Sequence, residues 1–88
     1  MARKPFPNDD AATAERHRMI AAAIASYLRQ HPRSADTAQG IRQWWLHASV
    51  PDATEAEVEQ ALAGLRQHGV VESLRIGQRE LWRLRTDD

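Results

Sequence analysis

Eleven of the twelve basic residues are arginine, and Lys4 is the only lysine. Their spread along the chain is uneven. Arg66, Arg75, Arg79, Arg83 and Arg85 fall between Ala61 and Thr86 against Glu72 and Glu80, so that stretch carries five positive charges less two, a net of +3. A guanidinium offers a planar fork of N–H donors that matches phosphate oxygens, and it can enter a narrow minor groove. The same charges on exposed strands would also keep sheet edges of different molecules apart. Both roles stay open at this point. At the start of this stretch, Gln60 and Gln67 bracket the small residues Ala63 and Gly64. A glutamine amide can bond an adenine edge twice, and small neighbours would let such a helix sit deep in a groove. They would equally let a second helix come close. Glu55, Glu57 and Glu59 crowd the preceding turns. They would repel phosphate, although acidic residues also favour a helix N-terminus.

Catalytic chemistry is poorly served. His17, His31, His47 and His68 have no histidine three or four residues away, so no helical metal pair is formed, and cysteine is absent. Ser26, Ser34, Ser49 and Ser73 lie in no nucleophile-elbow pattern, and none of the four glycines belongs to a phosphate-cradling loop. Neither an enzyme nor a cofactor is expected. Candidate contacts with another protein are Trp44, adjacent to Trp45, and the outer face of the first helix with Met19 and Ala22, where a homodimer is one possibility. Core packing is the first expectation for both tryptophans, with Trp82 as a neighbour. Arg3 and Lys4 could serve as a basic arm, but a solvated tail is the simpler reading.

These side chains need elements to hold them. Residues 1–10 have no periodicity and read as a flexible tail, as do 86–88. Over 11–30, Ile20, Ala23, Ile24, Tyr27 and Leu28 repeat at helical spacing, with Asn8, Asp9 or Asp10 as the cap and His31-Pro32 as the stop. Over 37–47, Asp36 with Gln39 makes a capping box, and Ile41, Trp44, Trp45 and Ala48 share a face. Over 54–68 the buried stripe is Val58, Ala61, Leu62 and Leu65. Asp52 or Thr54 opens this helix with a glutamate three residues on, and Gly69 closes it. The period then changes to two, and Gly77-Gln78 fits a type II′ turn in a hairpin over 70–85.

The expected fold is α+β: a three-helix core over 11–85 with a C-terminal two-stranded hairpin. The break at Val50-Pro51, the run from Val58 through Gly69 to Val71 and the basic hairpin ending Trp82-Arg83-Leu84 resemble bacterial winged helix-turn-helix regulators. The likeness covers residues 11–85 and lies at the level of the fold. It implies double-stranded DNA as partner, the third helix in the major groove, the hairpin as a wing on the backbone, and a dimer. On that reading Gln60, Ala63, Gly64, Arg66, Gln67, Arg75, Arg79, Arg83 and Arg85 contact nucleic acid. The alternative is a winged helix turned to protein–protein contact, as an adaptor or assembly subunit.

Length and composition bound these readings. The 88 residues suffice for one small domain. Zero formal net charge excludes a protein that coats nucleic acid by charge alone. The longest apolar run, Met19–Ala25, is far short of a membrane span, and no apolar stretch follows the charges of the first residues as a signal peptide would require. A cysteine-free chain fits a reducing cytoplasm.

Overall fold

The computed structural model describes residues 7–86 and has three helices and a three-stranded antiparallel sheet. Helix α1 runs Pro7–Gln30 and strand β1 is Ala35–Asp36. Helix α2 is a single α-turn, Ala38–Gly40, that continues as a π-helical stretch, Ile41–Trp45. Helix α3 is Glu55–Gln67, and β2 (Val71–Ile76) and β3 (Arg79–Leu84) form the hairpin. No helix among the described residues is long and apolar enough to cross a membrane.

The helical stripes close one core. Ile20, Ile24 and Leu28 of α1 are fully buried against Val58, Ala61 and Leu62 of α3. At ~25 cal/mol per Å² of apolar surface, each large side chain buried here contributes about 1.5–3 kcal/mol. Helix α1 begins at Pro7 and not at residue 11, so the positions of Asn8, Asp9 and Asp10 lie within it and not ahead of its start. Proline suits a first turn because its missing N–H would have no helical partner there.

The second helix departs furthest from expectation. Its cap is Thr37, whose hydroxyl accepts from Gly40 N–H at 3.1 Å. Asp36 instead accepts from Thr37 N–H at 2.8 Å. Gly40 is needed where it stands, because a Cβ there would overlap the Asp36 carboxylate. Beyond it, Leu46 N–H reaches Ile41 O at 3.1 Å, an i→i+5 bond. Such a bond brings residues i+4 and i+5 over residue i. Ile41, Trp45 and Leu46 are therefore the buried set, while Trp44 and Ala48, expected on the same face, are exposed. Trp45 stacks on Tyr27 with centroids 4.6 Å apart and planes at 11°.

Helix α3 has both ends closed as the sequence suggested. Thr54 Oγ1 accepts from Glu57 N–H at 3.1 Å and Glu57 Oε1 accepts from Thr54 N–H at 3.0 Å, a complete capping box. At the other end Gly69 has φ +76°, with Gly69 N–H bonding Arg66 O and Val70 N–H bonding Leu65 O. That is the Schellman arrangement, and it delivers the chain straight into β2.

The hairpin register runs from Val71↔Leu84 to Ile76↔Arg79, leaving Gly77-Gln78 as the loop. Gly77 has φ +64° and no non-glycine residue among those described has positive φ, which matches a type II′ turn. The sheet is not the expected two-stranded ribbon. Ala35↔Arg83 and Asp36↔Trp82 add β1 to the free side of β3, giving the order β1-β3-β2. Two residues are too few for strand periodicity to register in a sequence.

Candidate nucleic-acid interface

Helix α3 presents different residues to its two neighbours. Advancing ~100° per residue from Val58, Glu55, Glu59 and Arg66 fall toward the hairpin, with Ala63 beside them. Gly64 and Glu57 fall toward α1, and Ala56, Gln60 and Gln67 point outward. The lining of the clefts agrees. A groove of about 580 Å³ lies between α3, the start of α2 and the hairpin, and is lined by Glu55, Glu59, Ala63, Arg66, Arg79 and Trp82, among others. Gln60 instead borders a small cleft with His17 and Ile20 of α1. Gly64 lines a second groove, between α1 and α3.

The sequence-derived site is thus split. Ala63, Arg66 and Arg79 come together. Gln60 and Gly64 do not join them, although Gln60 and Gln67 are both exposed. The groove also gathers residues that the spacing argument passed over: Thr37, the cap of α2, Gln39 within α2, and Glu80 of the hairpin. Nothing in the sequence reveals them, because their nearness depends on which flank of α3 the hairpin covers.

The arginines are not equivalent. Arg66 lies over the Trp82 ring, 5.1 Å from its centroid, and donates to Ser73 Oγ at 3.3 Å. Arg83 donates from Nε to Glu72 Oε2 at 2.7 Å across the strands, as the Glu72↔Arg83 register allows. Because side chains alternate along a strand, Arg83 points away from the face that carries Trp82. Arg75, Arg79 and Arg85 are exposed and form no ion pair among the described residues. Arg85 is anchored by its backbone N–H on Val70 O at 2.9 Å. Arg3 and Lys4 lie outside the described residues.

The carboxylates divide as well. Glu57 is taken up internally: Arg16 Nε donates to its Oε2 at 2.7 Å and Arg16 Nη2 to its Oε1 at 3.2 Å. Arg16, followed by the Thr54 backbone N–H, lowers the Glu57 pKa to about 2. Glu57, then Asp52, in turn raises that of Arg16. Glu55, Glu59 and Glu80 form no ion pair among the described residues and face the groove. Against Arg66 and Arg79 they leave it with two positive charges and three negative, a net of −1.

Among the described residues no group of three or more His, Asp or Glu side chains is placed to hold a metal ion. Trp44 is 67% exposed, Ile76 at the hairpin tip 55% and Met19 on α1 47%. Ala22 is exposed beside Met19's turn, but neither residue belongs to a cleft lining given above. No protein-family model, curated protein or solved structure matches the chain.

Proposed function

We propose that the chain is a winged helix that binds double-stranded DNA through its hairpin, as a small regulator of transcription would. The element order α-β-α-α-β-β, with the hairpin flanking the third helix and β1 completing the sheet, supports the winged-helix part of this reading. One observation carries the DNA part: Arg75 and Arg79 on the hairpin and Arg85 just after it stand exposed and form no ion pair among the described residues.

The magnitudes favour a backbone-led contact. Three free guanidiniums neutralise at most about three phosphates, for a log–log salt slope of roughly −2.7. Glu55, Glu59 and Glu80 keep phosphate out of the α3–hairpin groove itself. The hairpin therefore leads, and Gln60 and Gln67 supply whatever base contact α3 makes.

The test is titration of a labelled random-sequence duplex at low and moderate salt. Binding should weaken with that shallow slope, and the Arg75→Ala/Arg79→Ala variant should flatten it by about 1.8. Absence of binding at low salt rejects the proposal. It would also favour a second reading, a protein-contact module centred on Trp44, whose indole is exposed while its neighbour Trp45 is buried.

A further inference from the structure

The sheet ends in two unlike edges. On one side β1 is 2 residues long, and on the other β2 presents 6. Side chains alternate along β2. Val71 and Ser73 share the face of the buried Trp82, so Glu72, Leu74 and Ile76 lie on the opposite face with Leu81 and Arg83. Backbone groups alternate too. The two-residue loop makes Ile76↔Arg79 a hydrogen-bonded pair. Glu72, Leu74 and Ile76 therefore turn their N–H and C=O groups to β3, while Val71, Ser73 and Arg75 turn theirs outward. The bond from Arg85 N–H to Val70 O fits the same alternation. Val71 is fully buried and closed to a partner. The outward backbone groups of Ser73 and Arg75 have no hydrogen-bond partner among the described residues.

Little blunts this edge. β2 has no proline and no lysine, and no bulge interrupts its register with β3. Its two charges point to opposite faces, and Glu72 is held by Arg83 at 2.7 Å. A strand is the complement of such an edge, and the sequence of β2 makes it a complement of itself in one register. In a two-fold antiparallel pair, opposite residues share a face, so both are odd or both are even. Ser73 against the partner's Ser73 would set the partner's Arg75 against Val71, where the edge is closed. Arg75 against the partner's Arg75 would oppose like charges. Ser73 opposite the partner's Arg75 remains, and each such pair exchanges both N–H···O bonds. Leu74 then meets the partner's Leu74 at the axis, in the close type of pair with Cα atoms ~4.5 Å apart. The Leu81–Leu74 row of one copy runs on into the other, and Ile76, exposed in the single chain, gains the partner's Leu74 as a diagonal neighbour.

We infer that β2 is the seam of a homodimer: two copies join edge to edge, Ser73 opposite the partner's Arg75, and their sheets become one antiparallel sheet centred on Leu74. The contact is isologous and uses up the open edge, so the assembly stops at two. A seam this short falls below the ~1,200 Å² of a standard interface, so the dimer is weak and depends on concentration. It does not rest on the DNA reading, because the backbone groups that form it belong to β2 alone and Arg79 and Arg85 take no part.

Amide hydrogen exchange of the full chain, followed by NMR from micromolar to millimolar concentration beside sedimentation equilibrium, tests this. The Glu72 and Leu74 amides bond to β3 and should be protected at every concentration. Those of Ser73 and Arg75 should exchange severalfold more slowly as the dimer forms. Leu74→Lys and Leu74→Glu change a side chain on the face away from the core, so each should keep the wild-type circular dichroism and become monomeric. Mixed in equal amounts they should associate again, since the axis then pairs opposite charges. A wild type that is monomeric at millimolar concentration overturns the proposal. A dimer in which the Ser73 and Arg75 amides exchange as in the monomer overturns it equally, whatever the variants do, and so does a mixture of folded Lys and Glu variants that stays monomeric.

Discussion

Arg16 and Glu57 are 41 residues apart in sequence and 2.7 Å apart in space, and their pairing joins the middle of α1 to the first turn of α3. Glu57 is also the returning half of the capping box. One carboxylate thus serves a helix start and an interhelical tie.

Acid should therefore loosen this joint in a definite window. Glu57 has its pKa lowered from an ordinary 4.5 to about 2, so its contribution is complete above pH 4.5 and is lost as pH falls toward 2. Urea midpoints measured from pH 6 to pH 2.5 should fall through that window. In Arg16→Ala the fall should be shallower, because the largest cause of the shift is gone. Parallel pH curves for the two proteins would contradict this.

Thr54→Ala removes the hydroxyl that receives Glu57 N–H and should cost about 1 kcal/mol of stability. Thr54→Ser keeps the acceptor and should stay near wild type. Equal losses in the two variants, read from chemical denaturation, would show that the methyl group matters and not the cap.

Two helical glycines should respond oppositely to alanine. Gly64→Ala enters open space and should stabilise α3 by about 0.5–1 kcal/mol. Gly40→Ala drives a methyl into the Asp36 carboxylate, which must then release Thr37 N–H. It should destabilise by roughly 1–3 kcal/mol. Combining it with Asp36→Ala should give less than the sum of the single losses, since the clash is shared.

Adjacent tryptophans should likewise behave as strangers. Trp45→Ala empties a core position and a stack on Tyr27, for a loss of about 3–5 kcal/mol. Trp44→Ala should change stability by no more than about 0.5 kcal/mol. Acrylamide should quench the emission lost with Trp44 far more readily than that lost with Trp45.

Much of the architecture could be read before any coordinate. The Ile20–Ile24–Leu28 and Val58–Ala61–Leu62 stripes, the Thr54 box, the Gly69 stop and the Gly77-Gln78 turn are local patterns with local causes. What escaped the sequence was decided elsewhere. The π-helical bond at Leu46 shifted the buried set from Trp44 to Leu46, and no spacing argument built on 3.6 residues per turn could find it. Strand β1 is too short to have a period. The candidate interface suffered from the same limit. That Gln60 is exposed follows from the helical wheel, but that Gly64 borders α1 while Ala63 borders the hairpin depends on how three elements pack. Arg83, counted among the free cations from composition, is taken up by Glu72 only because the hairpin register sets them opposite each other.

The strand order has a bearing on biosynthesis. β3, which follows the other described elements in the chain, is the middle strand, and both the Ala35–Asp36 clasp and the hairpin wait for it. A nascent chain halted before Arg79 can form its helices but has no partner for either neighbouring strand, so its sheet can close only after residue 84 has left the ribosome tunnel. Until then the indole that covers this end of the core, that of Trp82, is also missing, and the helices' apolar faces lack that cover.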